Sequence, residues 1–477
     1  ATAKKACTHS RSIRRTSQYI PFWNILYSKP KLMARAMSAT IKEKKQCVSI
    51  LWKGWSRMKT VCMFFAARRY WADEEKLRSA YETLAAQMGE GIECCLAADA
   101  MEEDKLPQGD CLIAVPMSGA VQQNILAAAA AYESVVLYGA YIRGNAPGAL
   151  CSEMLRCNAA PTLMDTWAVL RRTTPGTQLA LNEAQLKDAL QVLAAYNAVR
   201  GATLLQIGHT EPWVISNASE PAVYEARFGV KIRFVEQDEL AQLYRGAQRE
   251  QAQTYYDWFV QNSTGCAEPT DGALWDASRM AWALITLLER YGAQGAAIAC
   301  FNLLSEGTTS CLGVSYVNDC TPMVAACEGD MDSAVTMLMM KHLTSTKLWM
   351  ANPGLQPDGT VNFSHCTAPI CCMGDSLPCT LRSHHESGIG VSLQVELPQK
   401  KRVTACRISD EASKMTVHLG YSAAGPYETA CRTQMHVRFD DAPHYLRTVL
   451  GCHQVFAFED VEEKLLRLAA LFGLDVL

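Results

Sequence analysis

The sequence predicts an α/β protein in which two doubly wound parallel-sheet domains are followed by a β-rich, barrel-like domain. Apolar strand-like runs alternate with helical stretches over most of the chain, and this alternation predicts parallel sheets. Beyond roughly residue 345, short alternating runs rich in Pro and Gly predict antiparallel strands instead. The 477 residues fit about three domains, and a composition of 49% hydrophobic and 19% charged residues excludes a disordered or fibrous protein.

The first α/β domain is predicted over residues 58–199. An apolar run from Thr60 to Ala67 predicts its buried first strand, and Asp73 is placed to cap the following helix. Two further short β-type runs follow, at 111–115 and 134–138. No GxGxxG motif follows the first strand, so the sequence does not support dinucleotide binding.

A second Rossmann-like α/β domain is predicted over residues 200–345, and the β-rich domain over 346–477. The runs that predict buried strands of the second domain are 201–207, 230–235 and 296–303, and 275–291 predicts an amphipathic helix. The runs that predict antiparallel strands of the third domain are 391–397, 403–408 and 416–419. A last helix is predicted over 461–472, ending at Gly473.

Residues 1–57 carry thirteen Lys or Arg and the single acid Glu43. By composition this stretch resembles a transit peptide or a nucleic-acid-binding arm. The apolar run after Met58 favours a different interpretation, in which the fold starts near Met58 and the basic extension lies outside the core. The remaining chain is acidic and therefore repels nucleic acid and anionic lipid, and no apolar run reaches 18 residues. We therefore expect neither a nucleic acid nor a membrane as partner.

The 20 cysteines are too sparse for a disulfide scaffold and include no CxxC motif. This usage favours a cytoplasmic protein in which cysteine serves as a small buried hydrophobe. The group His365, Cys366, Cys371, Cys372 and Cys379 superficially suggests zinc, but its spacing lacks two paired CxxC arms.

Glu328 is the residue that the local pattern best places for chemistry. It follows the apolar run 323–327 and precedes Asp330 and a helical stripe that begins at Met331. A carboxylate is thus delivered to the carboxyl end of a strand, where open α/β sheets bind ligands. The alternative is that Asp330 caps the helix and Glu328 is an ordinary loop acid.

Three later segments extend this pattern. They are Trp349–Pro353 with Asn352, Phe363–Pro369 with His365, and Gly451–His453. Together with the Cys-Glu-Gly-Asp loop, their order and spacing resemble the L-fucose isomerase and L-arabinose isomerase family of ketol isomerases. The resemblance covers about residues 58–477 and is strongest from Cys311 to Leu397.

The resemblance implies a divalent-metal site held by Glu328, Asn352, His365 and His453. Oxygen and imidazole ligands suit Mn²⁺, with Mg²⁺ or Co²⁺ as alternatives. The implied reaction interconverts an aldose and a ketose through a cis-enediol, with the metal on the O1 and O2 oxygens and Glu328 as the base. The resemblance also implies a small sugar as substrate and a homo-oligomer, a trimer or hexamer, with the pocket near a subunit boundary.

Asn352 departs from the family pattern, which has Asp or Glu there. An amide can offer its oxygen to a metal but cannot exchange a proton at neutral pH. Glu328 would then work as a single base, with water, Glu306 or Glu386 protonating the oxygen. The alternative function is a sugar-binding or regulatory protein that kept this fold and lost the proton chemistry.

Four further side chains are candidates for sugar contacts. His384 and Glu386 precede a β run and either face the sugar or form an exposed turn. His209 and Trp213 follow a strand end, where the indole either stacks on a sugar face or is buried beside Pro212. Asp319 is interpreted as a turn residue.

Overall fold

The computed structural model of the protein describes residues 58–99, 106–174, 176–217 and 220–477. The prediction about the basic extension, residues 1–57, lies outside these ranges. The described residues form a mixed α/β structure with two parallel sheets and a strand-rich C-terminal region. The coarse prediction of fold class is therefore confirmed.

The first sheet contains five parallel strands, which are β1 (Thr60–Ala66), β2 (Glu93–Ala98), β3 (Cys111–Pro116), β4 (Ser134–Tyr138) and β5 (Gln178–Ala180). Their spatial order is β2, β1, β3, β4, β5. The helices around them are α1 (Glu74–Ala85), α2 (Gln122–Ala129), α3 (Gly148–Arg156), α4 (Ala159–Thr173) and α5 (Glu183–Arg200). The prediction that Asp73 caps α1 is confirmed, because its carboxylate accepts a hydrogen bond from the backbone of Lys76.

The second sheet is also parallel and contains β6 (Thr203–Ile207), β7 (Lys231–Val235), β9 (Gly295–Ile298) and β10 (Val324–Ala326), in the order β10, β9, β6, β7. Its helices are α6 (Pro221–Phe228), α7 (Gln237–Gly246), α8 (Arg249–Asn262), α9 (Asp271–Arg290), α10 (Cys311–Cys320) and α11 (Met331–Lys341). The strand predicted over 296–303 ends at Ile298, and a 3-10 helix, Phe301–Glu306, follows. Leu303 lies in that 3-10 helix and its side chain is buried. The apolar run 296–303 therefore covers the end of a strand and the start of a helix.

The C-terminal region contains six antiparallel strands that close into a ring. These strands are β11 (Trp349–Leu355), β12 (Val361–His365), β15 (Arg402–Ser409), β16 (Lys414–Ala423), β17 (Thr433–Phe439) and β18 (Gln454–Ala457). Their order is β15, β18, β11, β12, β17, β16, and β16 pairs back with β15. Two short helices, α12 (Ala442–Thr448) and α13 (Glu462–Phe472), and a parallel strand β19 (Asp475–Val476) beside β16 complete the region.

A small fourth sheet consists of β8 (Gly265–Cys266), β13 (Cys379–Arg382) and β14 (Ser392–Val395). The interpretation of Asp319 as a turn residue is wrong. Asp319 lies buried in α10, and its carboxylate accepts hydrogen bonds from the backbone of Ile370 and Cys371. These hydrogen bonds fix the position of the backbone at residues 370–371, after β12.

Of the described helices, none is long and apolar enough to cross a membrane.

Candidate metal site

Glu328 sits in a sharp turn between β10 and α11. Its φ is 59°, a left-handed value that is uncommon for a residue with a side chain, and such strain is concentrated at functional sites. Gly329 continues the turn at φ 63°, and a Cβ there would lie 2.7 Å from the Cα of Thr210. Asp330 accepts a hydrogen bond from the backbone of Ser333, which confirms it as the helix cap. Cap and turn together fix Glu328 at the carboxyl end of the sheet.

Two histidines from the C-terminal strands meet the Glu328 carboxylate. His365 is the last residue of β12, and His453 directly precedes β18. The Oε1 atom of Glu328 lies 3.3 Å from Nε2 of His453 and 3.8 Å from Nε2 of His365. All three residues are buried, and their ligand atoms lie within 4.8 Å of one another. Two imidazoles and one carboxylate form a group that could bind a divalent metal ion.

The charges of the group favour cation binding. Burial alone would raise the pKa of Glu328, but the imidazoles of His365 and His453 outweigh it and hold that pKa well below its usual range. The carboxylate is therefore ionised at neutral pH. Nδ1 of His365 forms a hydrogen bond of 2.9 Å with the hydroxyl of Thr367, which leaves Nε2 directed at Glu328.

We expect metal binding to release about one proton at neutral pH. Burial alone would lower the pKa of His453, but Asp330, Cys452 and Glu328 raise it well above its ordinary value. The imidazole is then charged in the metal-free protein and must lose its Nε2 proton to bind an ion, so metal affinity rises with pH until that pKa is passed. Calorimetric titration with Mn²⁺ in buffers of different ionisation enthalpy measures the released proton. Binding without proton release would contradict a role of His453 as ligand.

Trp213 reaches the same carboxylate from the loop after β6. Its indole N–H donates a hydrogen bond of 2.7 Å to Oε2 of Glu328, while 52% of the residue remains exposed. The interpretation of Trp213 as a buried residue is therefore wrong. Its ring contacts Phe301 edge-on at 4.8 Å between centroids, and Phe301 in turn contacts His384 at 5.8 Å. These rings place apolar surface beside the carboxylate.

Glu211 is a site residue that the sequence reasoning did not assign to proton chemistry. Its backbone N–H donates to the backbone carbonyl of Glu328 at 3.0 Å, and its buried carboxylate accepts a hydrogen bond from the backbone of Phe301. Burial raises the pKa of Glu211, and the charge of Glu328 adds to the shift. Its position after β6, two residues before Trp213, is the signal that could have indicated it.

Asn352 lies in β11, opposite Ser364 of β12. It shares a face of the strand with Met350, two residues earlier, whose sulfur accepts a hydrogen bond from the backbone of Cys327. Asn352 itself is half-buried. Asn352 thus shares a strand face with a residue that contacts the backbone next to Glu328.

The remaining candidates lie in other settings. The ring of His209 is exposed and packs against Phe234, with 4.9 Å between centroids. His384 is buried in a turn, where its Nδ1 forms a hydrogen bond of 3.0 Å with the hydroxyl of Ser387, and Glu386 is exposed in the same turn. Glu306 forms two hydrogen bonds with Arg245 and is committed to that ion pair.

Of the described residues, the Glu328, His365 and His453 trio is the group whose ligand atoms converge, and the cysteines after His365 do not join it. No protein-family model matches the chain, and no curated protein matches it either.

Proposed function

We propose that the protein is a metal-dependent aldose–ketose isomerase that resembles L-fucose and L-arabinose isomerases. One observation carries the proposal: Glu328, His365 and His453, which are far apart in sequence, lie with their ligand atoms within 4.8 Å of one another. These are three of the four residues that the family resemblance singles out as ligands. An exposed indole and a second buried carboxylate beside them suit a polyhydroxy substrate.

The residues present fit a divalent ion. Glu328, His365 and His453 would hold it, with the amide oxygen of Asn352 as a fourth ligand, and this donor set suits Mn²⁺, with Mg²⁺ or Co²⁺ as alternatives. A bound ion supplies Lewis acidity that stabilises negative charge on substrate oxygens. The Glu328 carboxylate takes a proton from one of the two adjacent substrate carbons and returns it to the other. The indole N–H of Trp213 holds Oε2 in place during this transfer.

Glu211 is proposed as the second acid and base, in the role that Asn352 cannot perform. Its pKa is raised by burial, so its carboxyl group can carry a proton closer to neutral pH than an exposed Glu can. This assignment replaces Glu306 and Glu386, which are ion-paired and exposed respectively.

The substitution Glu211→Gln is expected to slow isomerisation by about 10² to 10⁴-fold, the usual contribution of one positioned acid or base. Glutamine retains a carbonyl that can accept from the backbone of Phe301, so the fold is preserved while the proton is lost. The rate of ketose formation at saturating Mn²⁺ measures the effect. An unchanged rate would remove Glu211 from the mechanism.

The proposal is tested by deuterium exchange at the substrate's C2 position. We expect solvent deuterium to enter C2 of at least one pentose, hexose or deoxyhexose when Mn²⁺ is present, and to stay out when the ion is removed by chelation. NMR spectra of the recovered sugars report the exchange. Absence of exchange across the three sugar classes, with Mn²⁺ bound, would overturn the isomerase assignment.

The second candidate function is a sugar-binding or regulatory protein with the same fold. Asn352 favours it, because the amide removes one of the two carboxylates of the family pattern. A binder would show sugar-dependent thermal stabilisation in the presence of metal and no exchange at C2.

We also propose a homo-oligomer, either a trimer or a hexamer. Trp213 and Ile215 are 52% and 85% exposed beside the site, and a neighbouring subunit could cover this apolar surface. Sedimentation analysis of the full chain measures the mass of the assembly, and a monomer would contradict this part of the proposal.

A further inference from the structure

A buried carboxylate contacts the side of His453 that faces away from Glu328. The Oδ2 atom of Asp330 lies 2.7 Å from Nδ1 of His453. The same oxygen accepts hydrogen bonds from Nη1 of Arg407 at 2.9 Å and from the hydroxyl of Ser333 at 2.9 Å. The side chains of Asp330, Arg407 and His453 are all fully buried. Each contact thus forms without competing solvent.

Arg407 holds this arrangement from β15. Its Nη1 also donates to the backbone carbonyl of His453 at 3.0 Å, and its Nη2 donates to the hydroxyl of Ser216 at 3.1 Å. Gly451 packs closely on the guanidinium, since a Cβ at that position would lie 2.4 Å from Nε of Arg407. The guanidinium is therefore fixed between the Asp330 carboxylate, the backbone of His453 and the loop that carries Trp213.

Stability alone is a weak reason to bury such a pair. Removing two charges from water costs several kcal/mol per ion, and replacing a buried pair by apolar side chains is often neutral or stabilising. A role in the site explains it better. An ionised carboxylate only accepts hydrogen bonds, so Asp330 requires a proton on Nδ1 of His453. When an ion replaces the Nε2 proton, the imidazole that keeps its Nδ1 proton presents its Nε2 lone pair to that ion, beside Glu328 and His365.

We propose that Asp330 and Arg407 are positioning residues that fix His453 as an Nε2 metal ligand. Asp330 sets the tautomer and the ring orientation, and Arg407 holds both Asp330 and the backbone of His453. The loss of such a partner typically costs 10 to 100-fold in metal affinity. The proposal rests on the metal site of the proposed function, and it is independent of whether a sugar is isomerised there.

The test compares Asp330→Asn with a matched control, Asp332→Asn. Asn is a good helix cap, so the first variant keeps the start of α11 while an NH₂ group can replace the acceptor at Nδ1. Asp332 lies on the same helix turn, is equally buried, and bonds to Tyr224 and Ser409 instead of His453. The control therefore makes the same charge change beside Arg407 and leaves the His453 contact intact.

Two measurements are made on the full chain. Calorimetric titration with Mn²⁺ is expected to show 10 to 100-fold weaker binding for Asp330→Asn and less than a threefold change for Asp332→Asn. Nitrogen-15 NMR of the metal-free protein, at a pH where His453 is neutral, is expected to show the proton on Nδ1 in the wild type. Asp330→Asn is expected to move it to Nε2.

The outcomes separate this inference from the proposed function. A wild-type protein with its His453 proton on Nε2 would overturn the inference without any variant, even if Asp330→Asn does not fold. Equal weakening of Mn²⁺ binding in both variants would also overturn it, since charge loss alone would then explain the effect. If the wild type binds Mn²⁺ and shows the Asp330-dependent tautomer but exchanges no deuterium at C2 of any sugar, the isomerase assignment fails and the positioning role stands.

Discussion

The substitution Glu328→Gln is expected to abolish Mn²⁺ binding and C2 deuterium exchange together. Glutamine has nearly the shape of glutamate, but it removes the negative charge that faces His365 and His453 at 3.8 and 3.3 Å. It also removes the only group in the proposed mechanism that takes a proton from carbon, a loss of about 10² to 10⁴-fold before any effect on the metal is counted. Calorimetry with Mn²⁺ and NMR of the recovered sugar measure the two losses.

Glu183→Gln provides the control for this variant. Glu183 is exposed in the first turn of α5 and pairs with Lys187, so its loss is expected to change neither measurement. A Glu328→Gln protein that binds Mn²⁺ as tightly as the wild type would show that the ion, if it binds, binds elsewhere. Retained exchange with weakened metal binding would instead assign the base to another residue, with Glu211 the nearest candidate.

The substitution Asn352→Asp is expected to increase both metal affinity and isomerisation rate. It restores the carboxylate that the family pattern has at this position, on the strand face that it shares with Met350. A second negative charge strengthens divalent-ion binding, and the larger metal-bound fraction raises the rate at subsaturating Mn²⁺. At saturating Mn²⁺ little further gain is expected, because Glu211 already serves as the second acid and base. Initial rates of ketose formation over a range of Mn²⁺ concentrations separate the two effects.

The substitution Asn352→Ala tests whether the amide of Asn352 is itself a metal ligand. If Asn352 serves as a ligand, the alanine variant binds Mn²⁺ more weakly than the wild type, opposite to the aspartate variant. If both variants bind the ion as the wild type does, Asn352 does not face the site. The second carboxylate of the family pattern would then have no counterpart at this position.

The buried strands could be predicted because each is a short, continuous apolar run. The run at 134–138 coincides with β4, and the run from Thr60 coincides with β1 to within one residue. β2 was missed because its short Cys- and Ala-rich run, 94–98, lacks the β-branched and aromatic residues typical of strands, and it lies mostly half-exposed at the edge of the first sheet. The 3-10 helix at 301–306 was missed for the opposite reason, because its apolar residues extend the pattern of the preceding strand.

Glu328 could be proposed from its place at the end of an apolar strand, whereas His365 and His453 were implied as ligands by the family resemblance. The groups that support the trio gave no such signal. Arg407 is an arginine inside the strand-like run 403–408, and only the structure shows it fully buried against Asp330. Glu211 lies in a loop, and its proximity to Glu328 depends on a backbone hydrogen bond between residues 117 positions apart. Contacts of this kind depend on tertiary folding, which local patterns do not encode.

The closed ring of the C-terminal strands limits how copies of this chain can associate. In an open sheet, the outermost strand exposes unpaired backbone N–H and C=O groups to which another chain can add a strand. Here β15 pairs with both β18 and β16, and β16 also pairs with β17 and β19, so the ring strands use these groups within the chain. Contacts between subunits through this region would then be made by side chains, whose shape and charge discriminate between partners, and the ring is protected from edge-to-edge aggregation.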